Sequence, residues 1–321
     1  MDSLTAGQGT ARLGWSANRG LVALAVGYQW FYNGANFLAF KVSGDAMHPV
    51  MVATFRFAVP ALLLLPFAAW RLRVHRTPSR QLAAAGLVGV IMLVCGQSMS
   101  IWGTHFLPAG VASVFGSAPP LFLALFAWGL FRQPLGGRQV AGVCVGFAGL
   151  ALMGWSSAIG ADFRVIGAVL TLTASAAWAL GSLLANRLTL PDDPLVGLTA
   201  QLLAAGAILV LISWVSGLGV GTDYARVPLR AWGSLAFLIV ASTMVGYTVF
   251  LALNHSVSST LANTFNYAAP VIALGLSALL LHEPLTWIKL VAAGIALSGV
   301  ALMLGGSSRP VPAPAAAGRA P

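Results

Sequence analysis

Acidic side chains are nearly absent: the 321-residue chain has seven, Asp2, Asp45, Asp162, Asp192, Asp193, Asp223 and a lone glutamate, Glu283. Charged residues of both signs make up 7% of it, against about a quarter in soluble domains. That leaves too few polar groups to clothe the outer faces of a water-soluble fold. Cys95 and Cys144 are the only cysteines and both fall in apolar stretches, which excludes a disulfide framework. The short alternating runs of a β-barrel are missing. So is the glycine-rich loop with its lysine that cradles nucleotide phosphates, and ATP is therefore not expected as a partner. No acid pair or His/Glu cluster lies in an apolar stretch, and an intramembrane enzyme would need one. The reading is of a chain that is not an enzyme and has no catalytic residue, metal or cofactor.

What fills the sequence instead is apolar surface, at 58% of residues. It comes in runs of about 20, the length that crosses a bilayer as helix. Ten such spans are read at 20–41, 48–70, 81–103, 106–131, 136–155, 164–188, 194–216, 230–253, 256–281 and 285–305. The expected fold is an all-α membrane protein, with the lipid bilayer as its surroundings and nothing left over for a soluble domain. The net charge of +10 would suggest nucleic acid in a soluble chain. Here the basic residues sit mostly in loops, eleven on the N-terminal side against five on the other with Arg56 inside a span, so the positive-inside rule accounts for them and no nucleic acid is expected. Both termini are then cytoplasmic. Residues 1–19 are polar and read as a cytoplasmic N-terminus without a cleaved leader. The Pro/Ala-rich tail over 306–321 reads as disordered.

Two stretches repeat. "ASVFGSAPPLFLALFAWGLFRQPL" from Ala112 and "ANTFNYAAPVIALGLSALLLHEPL" from Ala262 share Phe115/Phe265, Pro120/Pro270 and Pro134/Pro284. Extending the match from Gly96–Met153 to Gly246–Met303 needs no gap and gives about thirteen identities, His105/His255 among them. Each half, 20–155 and 164–305, then holds five spans. An odd number forces the halves to insert in opposite orientations, giving two five-helix inverted repeats, an architecture of secondary transporters that bind substrate near the midplane. Pro120 and Pro270 fall about 12 residues into their helices, near the bilayer centre, where a proline frees a carbonyl one turn earlier. They are read as a hinge or cavity wall.

Arg56 inside "HPVMVATFRFAVPALLLLP", the turn "ALLLHEPLT" at 278–286 with its degenerate copy "RQPL", and Trp30 followed by Lys41 resemble the motifs of the drug/metabolite transporter superfamily in its ten-helix EamA-like branch. The resemblance covers residues 20 to 305. It implies a transporter, and characterised exporters of that kind move amino acids, aromatic ones included, or other metabolites and cationic drugs.

Candidate substrate-binding residues follow from helical faces. Gln29, Asn33 and Asn36 share one face of the first helix, and Trp178 lies in a Thr/Ser stripe on the sixth. On helix 4 the face carries Ser113, Gly116 or Ser117, and Pro120; on helix 9 it carries Asn263, Asn266 or Tyr267, and Pro270. Gln97 and Trp102 join from helix 3, and Tyr247, the repeat counterpart of Gln97, from helix 8. Carboxamides there are costly to satisfy by packing alone. An arginine inside a span is a functional candidate by default, but Arg56 can also snorkel or cap loop carbonyls near the outer face. The resemblance favours a structural charge. Glu283 and Lys41 are read likewise, Glu283 serving a helix end or pairing with Lys41 or Lys289. With every acid in a loop or at a span end, the expected cargo is a small neutral or zwitterionic, amino-acid-like molecule. The expected place is a bacterial inner membrane, with cationic drugs or other metabolites as the alternative cargo.

Overall fold

Every apolar run folds as helix. The computed structural model describes residues 19–74, 76–130, 132–158, 163–219, 221–256, 261 and 264–304. The expectations for the N-terminal segment and the tail lie outside them. Among the described residues there is no strand, and ten helical segments follow one another: α1 (Arg19–Ala46), α2 (Pro49–Val74), α3 (Ser79–His105), α4 (Ala109–Gly116 and Pro119–Gly129), α5 (Gly137–Ala158), α6 (Val165–Ala185), α7 (Pro194–Ser216), α8 (Leu229–Phe237 through Tyr247–Ser256), α9 (Phe265–Leu280) and α10 (Trp287–Leu304). Seven are long and apolar enough to cross a membrane by length and composition, and α9 and α10 are apolar but shorter. At 28 residues α1 is long enough too; its amides, Lys41 and Asp45 dilute its apolar character.

The two halves pack as counterparts. Helix α1 lies against α9 and α8, while α6 lies against α4 and α3; α2 pairs with α7, and α5 with α10. The last pair marks the pseudo-twofold most directly. A Cβ added at Gly149 would strike the Ala296 backbone, and one at Gly299 would strike the backbone of Gly146. These are the same contact with the halves exchanged, since Gly149 and Gly299, and Gly146 and Ala296, are repeat-equivalent. Close backbone approach through small residues is how helices adhere in lipid, where no hydrophobic drive pulls them together.

Pro120 and Pro270 sit in different local structure. In α4 the helix stops at Gly116, turns through Ser117 and Ala118, and restarts with Pro119 and Pro120 as its first residues. Two consecutive prolines remove two amide donors, so the break comes ahead of Pro120 and is complete. The Phe115 carbonyl, which Pro119 cannot serve, accepts from the Ser175 hydroxyl at 3.1 Å. Pro270 instead sits inside α9, whose described helix runs from Phe265 after a turn at Thr264; residues 257–260, 262 and 263 ahead of it lie outside the described residues.

The repeated "RQPL" and "HEPL" turns have one geometry. Arg132 (φ 51°) and His282 (φ 55°) are left-handed, and the amides of Gln133 and Glu283 reach back six residues to the carbonyls of Ala127 at 3.1 Å and Ser277 at 3.2 Å. This is a helix stop on a left-handed residue, its closing bond one residue wider than in a Schellman motif, built here on non-glycine residues with a proline following to prevent re-entry.

Candidate functional site

Between the halves lies a cavity of about 240 Å³, walled by every helix except α5 and α10. It is somewhat smaller than the ~300–1,000 Å³ pockets of drug-sized ligands, a size for a small metabolite. Aromatic rings form much of its wall: Tyr32, Phe37 and Phe40 from α1, Phe57 from α2, Trp178 from α6, Tyr247 and Phe250 from α8, and Phe265 from α9. Gly246 on α8 makes room for the Tyr32 ring, which an added Cβ would strike, whereas one at its counterpart Gly96 on α3 would meet Trp178 at ordinary contact distance.

Seven of the candidate binding residues line this cavity: Asn33, Asn36, Gln97, Ser117, Trp178, Tyr247 and Asn266; so does Pro270. Three others do not. Gln29 is buried between α1 and α8, where Nε2 donates to the Gly246 carbonyl at 3.4 Å and Oε1 accepts from Asn33 Nδ2 at 3.1 Å. Trp102, near the C-terminal end of α3, packs edge-on to His48 with ring centroids 5.8 Å apart. Tyr267 turns away to α10, its hydroxyl 3.5 Å from the Val300 carbonyl. Of the adjacent pair Asn266 and Tyr267, Asn266 is the one that lines the cavity. Asn263 lies outside the described residues. Pro120 is buried but does not line the cavity, and Pro119 takes that place.

Sequence reasoning missed Ser242 and Thr243, because α3 and α8 each carry a wide π-turn segment, Val90–Ser98 and Leu238–Gly246. A bond pattern of i to i+5 shifts the inward face off the usual three- and four-residue spacing. The hydroxyls of Ser98 and Thr243 each donate to the carbonyl five residues back, at 2.9 Å.

Arg56 is the largest departure from expectation. It neither snorkels nor caps the outer loops; at 3% exposed it lies in the cavity wall. Its Nη1 donates to Gln97 Oε1 at 3.1 Å, Nη2 to Ser242 Oγ at 3.1 Å, and Nε to Thr243 Oγ1 at 3.3 Å. The guanidinium carbon stands 5.0 Å from the centre of the Phe40 ring and 5.3 Å from that of Phe57. The cation thus ties both π segments to α2, one from each half. No acidic residue is among the lining residues described.

The remaining charges stand at helix ends. Lys41 pairs with Asp45 at 3.3 Å and donates to the His105 carbonyl at 3.0 Å, and His105 Nδ1 lies 3.0 Å from Asp45. Glu283 accepts from the first amides of α4, Ala109 at 2.7 Å and Gly110 at 3.2 Å. Of the two readings open for it, the helix end is the one realised, and the carboxylate faces the positive end of the helix dipole.

The profile of the EamA-like transporter family matches residues 20–155 and again 165–305. The uncharacterized inner membrane transporter YedA of Escherichia coli (strain K12) is 29% identical over 290 residues, covering 88% of this chain and 91% of that protein. A probable amino-acid metabolite efflux pump of the same organism is 26% identical over 295 residues, covering 89% and 94%. A solved crystal structure superposes with a TM-score of 0.57 at 20% identity, over 90% of this chain and 98% of the other, a likeness of fold.

Proposed function

The chain belongs to the EamA-like transporter family, and from that premise we propose that this membrane transporter exports amino acids with large apolar side chains by alternating access. The observation that carries the reading is the cavity: carboxamides of Asn33, Asn36 and Asn266 stand among aromatic rings between the two halves. Carboxamides both donate and accept, so they suit a zwitterion. The rings offer apolar surface and a negative face toward an ammonium, worth ~0.5–2 kcal/mol. The likeness to a probable amino-acid metabolite efflux pump supports the same cargo and an outward direction. The naming of a relative as an inner membrane transporter supports a bacterial inner membrane, and the bias of basic residues supports both termini on the cytoplasmic side. A cationic-drug cargo is less well served, because the described lining supplies Arg56 and no acid.

The test is counterflow in proteoliposomes preloaded with unlabelled L-phenylalanine. Labelled phenylalanine or leucine should accumulate transiently well above protein-free vesicles, and labelled glycine much less. Counterflow of a quaternary ammonium dye with none of phenylalanine would replace this reading with the drug-export one.

A further inference from the structure

We propose that Arg56 is the substrate's carboxylate-binding residue, so that the cavity selects for an anionic group at one end of its cargo. The proposal rests on the amino-acid reading above and sharpens it. Three observations converge. Arg56 is buried in the cavity wall, and the described lining holds no acidic side chain. A buried cation without a counter-ion is costly, and buried charges are as a rule paired. Its three protein partners, Gln97, Ser242 and Thr243, are all neutral and take one N–H each. A guanidinium has five, which leaves one N–H on each terminal nitrogen without an acceptor among the described residues. Two N–H groups on the two Nη atoms form the fork that grips a carboxylate through both oxygens.

The second end of the site is marked independently. Asn36 is 6% exposed and lines the same cavity, and its side-chain oxygen is buried without a hydrogen-bond partner among the described residues. An orphaned acceptor in a cavity is matched by a donor on the ligand, as an ammonium is. A free cation at one point and a free acceptor at another are the complement of an α-amino acid. The neutral partners and the Phe40 and Phe57 rings hold the guanidinium in place without neutralising it, which leaves its charge to the cargo.

A purely structural clip between α2, α3 and α8 would use the same three bonds, so the test must vary the ligand rather than only the residue. Thermal shift and calorimetric titration of the purified full-length protein would compare L-phenylalanine, L-phenylalaninamide, which lacks the carboxylate, and 3-phenylpropionate, which lacks the ammonium. Loss of a charge-assisted bidentate contact predicts that the amide binds about tenfold or more weaker than phenylalanine in the wild type. In Arg56→Gln that difference should shrink to about threefold or less, while Arg56→Lys keeps most of it as a point charge. Equal binding of the amide and phenylalanine by the wild type overturns the proposal and leaves the amino-acid reading standing. Binding of 3-phenylpropionate as tight as that of phenylalanine supports the carboxylate site and overturns the amino-acid cargo instead. No binding of either carboxylate-bearing probe overturns the proposal outright. Because the wild-type series alone decides between these, a failure of Arg56→Gln to fold does not shield it.

Discussion

Truncating Asn36 removes an acceptor that has no partner among the described residues, so its cost should fall on the ligand and not on the fold. Asn36→Ala should weaken phenylalanine binding by about 1 kcal/mol, or roughly fivefold, at an unchanged thermal midpoint of the free protein. Trp178→Ala should lower transport of phenylalanine more than that of alanine, because the ring supplies apolar surface that only a large side chain touches. Trp102→Phe and Tyr267→Phe are the controls, since neither residue lines the cavity, and the phenylalanine-to-alanine rate ratio should not move in either. A change in that ratio at the controls with none at Trp178 would mean that the cavity is not where cargo is sorted. Glu283 carries the opposite signature. Glu283→Ala strips two hydrogen bonds and a favourable charge from the start of α4. It should cost about 1–2 kcal/mol of stability, read as a lower thermal midpoint, with substrate ratios as in the wild type.

Helices differ in how openly the sequence announced them. The apolar runs of α2, α5, α6 and α7 were legible to within a few residues, because a span in lipid must bond its own backbone from end to end. The π segments of α3 and α8 were not legible, since a wide turn leaves the apolar pattern intact and changes only which residues face inward. That is why Gln97 was found while Ser242 and Thr243 were missed, and why Arg56 could not be given partners from the sequence. The break in α4 was read one residue late, at Pro120, because it takes both prolines to unbind two carbonyls. The α5–α10 seam yields a prediction of its own. Gly299→Leu must push the two backbones apart at Gly146, and overpacking costs typically ~1–3 kcal/mol. Gly294→Leu on the same helix, where an added Cβ meets nothing within 4 Å, should be tolerated. Thermal midpoints of the two variants in one detergent check the contrast, and equal values would remove the seam as the joint between halves.

At the scale of the whole molecule, an inverted repeat cycles by moving one half against the other around a fixed site. The parts that move and the parts that stay are distinguishable here. Helices α5 and α10 stand outside the cavity and interlock through glycines, which makes them the pivot in the proposed cycle. The eight helices around the cavity carry the polar and aromatic groups, and Arg56 reaches from α2 to the π segment of each half. What drives the cycle then depends on which ionisable groups lie on the path. Proton-coupled carriers place a carboxylate or histidine where it is exposed alternately to the two sides. In this chain Asp45, Asp193 and Asp223 pair with basic residues at helix ends or in loops, Glu283 caps a helix, and the described cavity lining includes neither an acid nor a histidine. A zwitterionic cargo moving through such a path carries no net charge and releases no proton. Initial phenylalanine flux in proteoliposomes should therefore change by less than about twofold when a gradient of one pH unit is imposed, a gradient that stores only ~1.4 kcal/mol per proton. It should instead follow the phenylalanine gradient itself. Several-fold acceleration by the proton gradient would show that a titrating group joins the path during the cycle. His105, held 3.0 Å from Asp45 at the C-terminal end of α3, is then the residue to replace first.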